Sequence, residues 1–310
     1  MDVIAQVQDR EIPAAIGAAI AAFTPLLKAK EAFIKEIPSK SFKYGPSDRH
    51  NLDIYYPKVP PASSESAPVL FFCYGGGLST GDRRLAMLDL VYSNLGAYFA
   101  RHGYVVVIPD YRLVPNVTFP GGSEDVRDAV RWVCDDANGV NLVLDGSPKP
   151  DLNKIFIMGH SAGALHITTM IFNESVLPFD DELRQRIVGI IPHGCPYELS
   201  NMGGSAGPGA QYYGNIEAAI ANSPLSLFRR LPQAGLDKLP HILMVEGENE
   251  PDWLKDAGNA FHGAVKERTG KSVPRIFGKG HSHISSTWAL CTGQGEGWAE
   301  EIVAWIQQVC

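Results

Sequence analysis

The sequence lacks the features that mark several large classes of protein. Its five cysteines among 310 residues are scattered and never form a C-x-x-C pair; they are Cys73, Cys134, Cys195, Cys291 and Cys310. An odd number of isolated cysteines argues against a disulfide framework and against a zinc knuckle. No long run of one charge is present, and the formal net charge is −7. Since nucleic-acid binding requires a basic patch, we expect no nucleic-acid partner.

Long hydrophobic runs are also scarce. The apolar patch at residues 14–23 is shorter than the roughly 20 residues that a membrane span needs. The first residues, MDVIAQVQDREIP, lack the basic-then-apolar order of a secretory signal. We therefore expect a cytoplasmic protein without a membrane span. The favoured interpretation of this N-terminal segment is a helix that docks on the body of the protein or lines the entrance of the site. Nearby lysines leave open a helix lying on a membrane surface.

The sequence does contain a regular alternation of apolar and amphipathic segments. Short runs rich in Val, Ile and Phe predict strands buried on both faces at residues 52–56, 69–73, 104–109, 154–158, 188–192, 241–246 and 274–277. Apolar residues at helical spacing predict helices at 124–134, 254–268 and 297–309. This alternation predicts an α/β fold, with a mostly parallel central sheet flanked by helices.

We expect one domain covering residues 1–310. Residues 196–238 are rich in Gly, Pro, Ser and Asn and have no long periodic run, so they predict an insert or lid before the last strands. The N-terminal segment 1–40 is predicted to be helical and to contribute to a cap.

A serine lies between two glycines where a predicted strand meets a predicted helix, in the segment GHSAG at residues 159–163. A serine nucleophile must stand clear of the backbone and needs a base nearby. A sharp strand-to-helix turn exposes it, and flanking glycines remove the Cβ atoms that would clash. This pattern predicts a nucleophile elbow at Ser161. The alternative is an ordinary Gly/Ser turn, and the flanking strand and helix favour the elbow.

A second glycine motif, Tyr74-Gly75-Gly76-Gly77, follows the predicted strand 69–73. Backbone N–H groups in such a loop can stabilise the oxyanion formed when a serine attacks an ester. The predicted donors are those of Gly76, Gly77 and Ala162. The alternative is a flexible turn or a phosphate-binding nest. No GxGxxG or Walker pattern accompanies the loop, and we expect no cofactor and no metal.

The predicted base lies in the segment GHSHI at residues 280–284, after the last predicted strand. Loops at strand ends are where an α/β sheet presents its site. His283 is preferred and His281 is the alternative. A His-x-His metal site is disfavoured, because no further ligands occur at a recognisable spacing.

The predicted acid orients the base and lies in the segment GENEPD at residues 247–252. Glu250 is preferred, Asp252 is the main alternative and Glu248 is a third candidate. The resulting chain order is Ser161, Glu250, His283.

These motifs resemble the esterase branch of the α/β-hydrolase superfamily, related to hormone-sensitive lipase and kynurenine formamidase. The chain order of serine, acid and histidine is typical of that fold. The resemblance covers most of the chain from about residue 43 and is carried by the segments HNLDIYYP at 50–57, YGGG at 74–77, PDYRL at 109–113, FP at 119–120, EDV at 124–126, YYG at 212–214, SPL at 223–225 and His283. Two residues depart from the pattern. Tyr74 replaces the histidine of the glycine loop, and Glu250 stands where aspartate is commoner.

The resemblance implies an α/β-hydrolase fold and a serine hydrolase that cleaves a carboxylic ester through an acyl-enzyme intermediate. Aromatic residues near the motifs suggest a small to medium, partly apolar substrate. Candidate substrate-binding residues are Tyr74, Leu78, His160, Tyr212 and Tyr213. An amidase, a lactonase or an arylformamidase with the same triad is the first alternative, and a non-catalytic ligand-binding protein on this fold is the second. The sequence leaves the oligomeric state open, a dimer included.

Overall fold

The computed structural model describes residues 1–61, 66–85, 88, 90–200 and 207–310. Within them one sheet of nine strands runs through the molecule, in the order β1-β2-β4-β3-β5-β6-β8-β9 with β7 beside β6. The strands are β1 Ser39–Lys43, β2 Asn51–Tyr55, β3 Ala67–Cys73, β4 Val105–Pro109, β5 Pro150–His160, β6 Ile187–His193, β7 His241–Ile242, β8 Met244–Asn249 and β9 Arg275–Ser282. Strand β2 is antiparallel to both of its neighbours, and the other pairs are parallel.

Helices flank this sheet. In chain order they are α1 Asp2–Ala5, α2 Ile12–Ala29, α3 Glu31–Lys35, α4 Ser93–Arg101, α5 Gly121–Cys134, α6 Asp136–Gly139, α7 Ala162–Phe172, α8 Leu183–Arg186, α9 Pro208–Tyr213, α10 Ile216–Ala221, α11 Pro224–Arg229, α12 Gln233–Leu236, α13 Asp252–Thr269, α14 Ser285–Ala289 and α15 Gly297–Val309, with a 3₁₀ turn at Val140–Leu142. The predicted mostly parallel sheet flanked by helices is confirmed.

The central strands form because their side chains are apolar on both faces. Every residue of β3 and of β4 is buried, as expected for strands covered by helices on each side. The predicted strand 241–246 is divided between β7 and β8. Strand β1 was not predicted, because its sequence SKSFK is polar and, at the sheet edge, its residues are mostly exposed.

The three predicted helices correspond to α5, α13 and α15. Helix α13 ends where Gly270 adopts a left-handed conformation, φ 70°, which glycine takes without a steric penalty. Helix α7 is apolar all round and every one of its residues is buried. It packs on β5 and β6 and is the central helix of the fold.

The N-terminal segment is helical, and its apolar part is longer than the sequence suggested. Helix α2 has 18 residues and is, within the described ranges, the helix long and apolar enough to cross a membrane by length and composition, with a mean hydropathy of 1.6. Residues 12–13 and 24–29 extend the helix beyond the apolar patch at 14–23. One face of α2 is buried against the body through Ala15, Ala19, Ala22, Phe23 and Leu27.

The predicted insert or lid at 196–238 lies partly outside the described residues, since 201–206 are not among them. The remainder contains the short helices α9 to α12. The side chain of Asn215 caps α10 by accepting from the N–H group of Ala218 at 2.7 Å, and Ser223 caps α11 in the same way. Side-chain caps of this kind satisfy N–H groups that have no partner inside the helix.

Several histidines are buried, among them His160, His166 and His193. Burial lowers the pKa of His166 to about 4 from an ordinary value of 6.5. Burial, and then repulsion from His283, lowers the pKa of His160 to about 3. Burial also lowers the pKa of His193 well below its ordinary value. All three rings are therefore neutral in the folded protein near neutral pH.

These lowered values predict a loss of stability in acid. The unfolded chain takes up protons at the three histidines as pH falls through 6.5, whereas the folded chain does not until much lower pH. The contribution of these histidines to the free energy of unfolding should be greatest above pH 6.5 and should fall as pH approaches 4, with His166 contributing on the order of 2–3 kcal/mol. Urea unfolding at several pH values measures this. The variant His166→Gln should show a flatter pH dependence than the parent chain, and an equal slope would contradict the assignment.

Candidate active site

The elbow residue Ser161 occupies the turn between β5 and α7. Its backbone has φ 53° and ψ −119°, a region that residues with side chains rarely adopt. The N–H group of Ser161 donates to the carbonyl oxygen of His193 at 2.9 Å, so the neighbouring strand β6 holds the turn. The side chain of Ser161 lines a cavity.

Glycines surround this turn because nothing larger fits. A Cβ atom on Gly159 would lie 2.6 Å from the carbonyl oxygen of Gly163, and one on Gly163 would lie 2.0 Å from that of Cys73. A Cβ atom on Gly75 would lie 2.9 Å from the Cβ atom of Ser161. The glycine loop and the elbow therefore approach each other at backbone distance.

His283 and Glu250 form a buried pair. The Nδ1–H group of His283 donates to Oε2 of Glu250 at 2.6 Å, and each side chain is 1% exposed. The second carboxylate oxygen accepts from the N–H group of Gly247 at 3.2 Å. This pairing sets the tautomer of His283 and leaves a lone pair on Nε2, which has no hydrogen-bond partner within the described chain. His283 lines the same cavity as Ser161.

The other candidates for base and acid are engaged elsewhere. His281 is held by the hydroxyl of Ser285 at 2.9 Å and by the carbonyl oxygen of Gly295 at 2.6 Å. The side chain of Asp252 is 87% exposed. Glu248 accepts from the N–H group of Gly280 at 2.7 Å. Among these candidates, the structure brings only Glu250 to His283.

The predicted oxyanion donors lie around the same cavity. Gly76 and Gly77 line it, with φ 141° and 60°, and a Cβ atom on Gly76 would lie 2.0 Å from the carbonyl oxygen of Thr80. Ala162 is the first residue of α7, so its N–H group has no intrahelical acceptor and carries the positive end of the helix dipole. The N–H groups of Gly76, Gly77 and Ala162 are therefore suited to stabilise a negative charge that develops in the cavity.

Tyr74 is not among the residues that line the cavity, contrary to the sequence-based expectation that it binds substrate. Its side chain instead holds the glycine loop in place. Its side chain is fully buried and its hydroxyl donates to Oδ1 of Asp110 at 2.7 Å and accepts from Arg49 at 2.7 Å. Its carbonyl oxygen accepts from the hydroxyl of Tyr111 at 2.7 Å. Asp110 also bonds the backbone N–H group of Arg83 at 2.8 Å and the guanidinium of that residue. These polar contacts hold the glycine loop against the carboxyl end of strand β4, which Asp110 follows.

The cavity has a volume of about 760 Å³. Its walls are mostly apolar, and Leu78 and His160 are among the lining residues. Tyr212 and Tyr213 were predicted to bind substrate, and here the structure differs. Neither is among the cavity-lining residues. Both are buried in a small apolar cluster that also contains Leu78, Ala162 and Leu165 of the cavity wall, and Tyr213 stacks on Phe119 with ring centroids 4.9 Å apart. The hydroxyl of Tyr212 accepts from the N–H group of Gly122 at 3.2 Å.

Comparison with known proteins gives consistent results. The family model BD-FAE matches residues 52–188. A probable isoprenylcysteine alpha-carbonyl methylesterase ICME of Oryza sativa subsp. japonica is 24% identical over 258 residues, which are 79% of this chain and 58% of that protein. Esterase LipI of Mycobacterium tuberculosis is 33% identical over 119 residues, 38% of this chain and 33% of that protein. The chain thus spans only about a third to just over half of the length of these curated relatives.

Solved structures match over nearly the whole chain. Esterase B from Lactobacillus rhamnosis superposes with a TM-score of 0.67 at 16% identity, covering 96% of this chain and 95% of that one. The thermophilic carboxylesterase EstE1, cloned from a metagenomic library, gives a TM-score of 0.65 at 18% identity and covers 94% of this chain and 97% of that one. These matches show that the chain has the α/β-hydrolase fold.

Sequence reasoning missed one further feature of the site. Gly194, just after β6, has φ 54°, and a Cβ atom there would lie 2.9 Å from Oε1 of Glu250 and 2.9 Å from Nδ1 of His283. The glycine that follows the strand 187–193 was the available signal. Helix α2 adds four cavity-lining residues, Ile12, Ile16, Ile20 and Thr24. Their spacing of four residues marks one helix face. The sequence led us to expect a helix that docks on the body or lines the entrance of the site, but it did not indicate which residues of the helix would meet the cavity.

Replacing Gly194 is expected to disturb the histidine–carboxylate pair. Gly194→Ala places a methyl group against both side chains and should lower catalytic turnover by about 10²-fold, since a displacement of about 1 Å is enough for such a loss. Gly214→Ala is the matched control, because Gly214 also has a positive φ, 92°, but nothing within 4 Å of the added methyl group. Steady-state kinetics and thermal unfolding of both variants measure the difference. Equal losses of activity would show that backbone strain alone is responsible.

Proposed function

We propose that this α/β-hydrolase is a serine hydrolase that cleaves a carboxylic ester. The observation that carries the proposal is the buried Glu250–His283 pair, in which Nε2 of His283 is left without a partner in the described residues, while His283 and Ser161 line the same cavity. A base held in one tautomer by a carboxylate, beside a serine on a strained turn, is the arrangement that activates a hydroxyl for acyl transfer.

The chemistry follows from these positions. The Oγ atom of Ser161 attacks the carbonyl carbon of the ester, and its proton passes to Nε2 of His283. The negative charge on the carbonyl oxygen is stabilised by the N–H groups of Gly76, Gly77 and Ala162, and losing one such donor typically costs about 2.7–4 kcal/mol of barrier. The imidazolium, stabilised by Glu250, then protonates the leaving alcohol. Water activated by the same histidine releases the acid from the acyl-enzyme.

The comparisons support this function. The curated relatives include proteins named as esterases and carboxylesterases, and esterase B has been solved inhibited by a tributyrin phosphonate. A phosphonate is a tetrahedral analogue of an ester reacting with a nucleophile. The match in fold makes the same class of reagent a suitable probe for this chain.

The cavity supports a neutral, partly apolar substrate of small to medium size. None of the described residues that line it is Asp, Glu, Lys or Arg, so a charged substrate would lose its hydration without compensation. Its volume of about 760 Å³ lies within the roughly 300–1,000 Å³ typical of sites for small molecules. Ile16 and Ile20 of α2 are 39% and 37% exposed and lie on its wall, where an apolar chain of the substrate would cover them.

An arylformamidase is a second candidate, favoured by one observation. Tyr92, Trp253 and Trp288 are among the cavity-lining residues, and aromatic rings pack well against an aryl group. The triad and the donors would be unchanged, so a panel of alkyl esters, aryl esters, lactones and N-formyl anilides separates the two candidates.

Loss of the nucleophile should abolish turnover. Ser161→Ala is expected to lower ester hydrolysis by at least about 10³-fold while the protein remains folded, because no other hydroxyl replaces it. A fluorophosphonate should label the parent chain at Ser161 only, which mass spectrometry identifies. Ser175→Ala, at an exposed loop position, is the control and should retain full activity. Normal turnover in Ser161→Ala, or labelling at another residue, would contradict the proposal.

Narrowing the cavity beside helix α2 should select against long substrates. Ile16→Trp adds bulk inside the cavity and should lower kcat/KM for a medium-chain ester by about 10-fold relative to an acetyl ester of the same alcohol. Val3→Trp is the control, since Val3 is 45% exposed and is not among the cavity-lining residues. Competition assays with both esters measure the ratio directly. An unchanged ratio in Ile16→Trp would mean that the acyl chain of the ester does not bind against this wall of the cavity.

A further inference from the structure

The residue before the nucleophile makes a contact that the reaction scheme does not use. His160 is the last residue of β5, and its ring is 3% exposed. Its Nε2 atom lies 2.7 Å from the backbone carbonyl oxygen of His283. A carbonyl oxygen only accepts, so Nε2 of His160 carries the hydrogen and donates it. The rings of the two histidines also lie close together, with centroids 4.7 Å apart and planes inclined by 37°.

This hydrogen bond joins two parts of the site that the sheet keeps apart. Strands β6 and β8 lie between β5, which leads to Ser161, and β9, which leads to His283. Neighbouring strands are about 4.8 Å apart, so the strands that lead to the nucleophile and to the base are about 14 Å apart. The side chains must bridge this gap with an accuracy of a fraction of an ångström. The bond from His160 ties the chain beside the nucleophile to the backbone of the base.

The other ring nitrogen of His160 points to the glycine loop. A Cβ atom on Gly75 would lie 3.1 Å from Nδ1 of His160, and this nitrogen has no hydrogen-bond partner within the described residues. The ring is therefore packed between the oxyanion loop and the loop that carries His283. Its burial lowers the pKa of His160 to about 3, so no positive charge arises beside the imidazolium that forms on His283 during the reaction.

We propose that His160 is a positioning residue, which holds the backbone of His283 through its Nε2–H donor and thereby sets the separation of nucleophile and base. The proposal rests on the proposed function of Ser161 and His283. A glutamine at position 160 can present an amide N–H group near the place of Nε2, whereas methionine has a similar length and no donor. The two variants therefore separate the hydrogen bond from the volume of the side chain.

The test compares His160→Gln with His160→Met in the full chain. His160→Met should lower kcat by about 10²-fold with KM changed by less than about 2-fold, because the base is displaced while methionine keeps a side chain of similar length at this point of the cavity wall. His160→Gln should retain kcat within about 5-fold of the parent chain. The rate of fluorophosphonate labelling of Ser161 should follow kcat in both variants, since labelling needs the same alignment of serine and base.

Three outcomes would overturn the proposal while leaving the proposed function intact: equal activity in both variants, equal loss in both, or a loss in His160→Met that is confined to KM. Thermal unfolding and near-ultraviolet circular dichroism establish that each variant is folded. If His160→Met does not fold, His160→Asn replaces it, because its amide is too short to reach the carbonyl oxygen of His283. Failure of the proposed function would instead appear as full activity in Ser161→Ala.

Discussion

The strained turn at Ser161 is the constraint on which the site depends. A serine is held at φ 53° and ψ −119° only where the surrounding structure imposes it. Strand β5 enters the turn from the centre of the sheet, the wholly buried helix α7 leaves it, and the carbonyl oxygen of His193 accepts from its N–H group. Gly75, Gly159 and Gly163 allow the glycine loop and the helix to approach at distances that any Cβ atom would prevent. The same crowding that strains the turn places Ser161 on the wall of the cavity, beside the glycine loop.

The parallel sheet supplies the remaining groups. The carboxyl ends of β3, β5, β8 and β9 lie at one edge, so the glycine loop, Ser161, Glu250 and His283 meet there although they are far apart in the chain. Polar contacts then hold each loop in place. Glu250 is held by the N–H group of Gly247, and the glycine loop is held by Tyr74 through Asp110. Where the esterase motif that this loop resembles has a histidine, this chain has a buried tyrosine, whose hydroxyl bonds Asp110 and Arg49. The oxyanion donors that we propose belong to the backbone, so the exchange would change the support of the loop and not its chemistry.

Helix α2 forms part of the cavity wall and has two apolar faces. Its alanines and Phe23 pack on the body of the protein, while Ile12, Ile16 and Ile20 line the cavity. Two apolar faces on one helix explain its high mean hydropathy. Small side chains on the packed face let the helix lie close to the body, and large ones on the other face reach the cavity. The width of the cavity is thereby linked to a segment outside the region matched by the BD-FAE family model, residues 52–188.

The sequence by itself determined what depends on neighbouring residues: the buried strands, the helices α5, α13 and α15, the glycine-flanked serine and the glycine loop. Each is encoded by a local period or by a local steric requirement. Only the tertiary structure decided which side chains serve the site. His281 and His283 are two residues apart and equivalent by local pattern, but Ser285 and Gly295 occupy the first while Glu250 reaches the second. For the same reason, one face of α2 lines the cavity, whereas three predicted substrate-binding residues are buried and do not line it, namely Tyr74, Tyr212 and Tyr213. The direction of a side chain depends on partners contributed by distant parts of the chain, and no local pattern contains them.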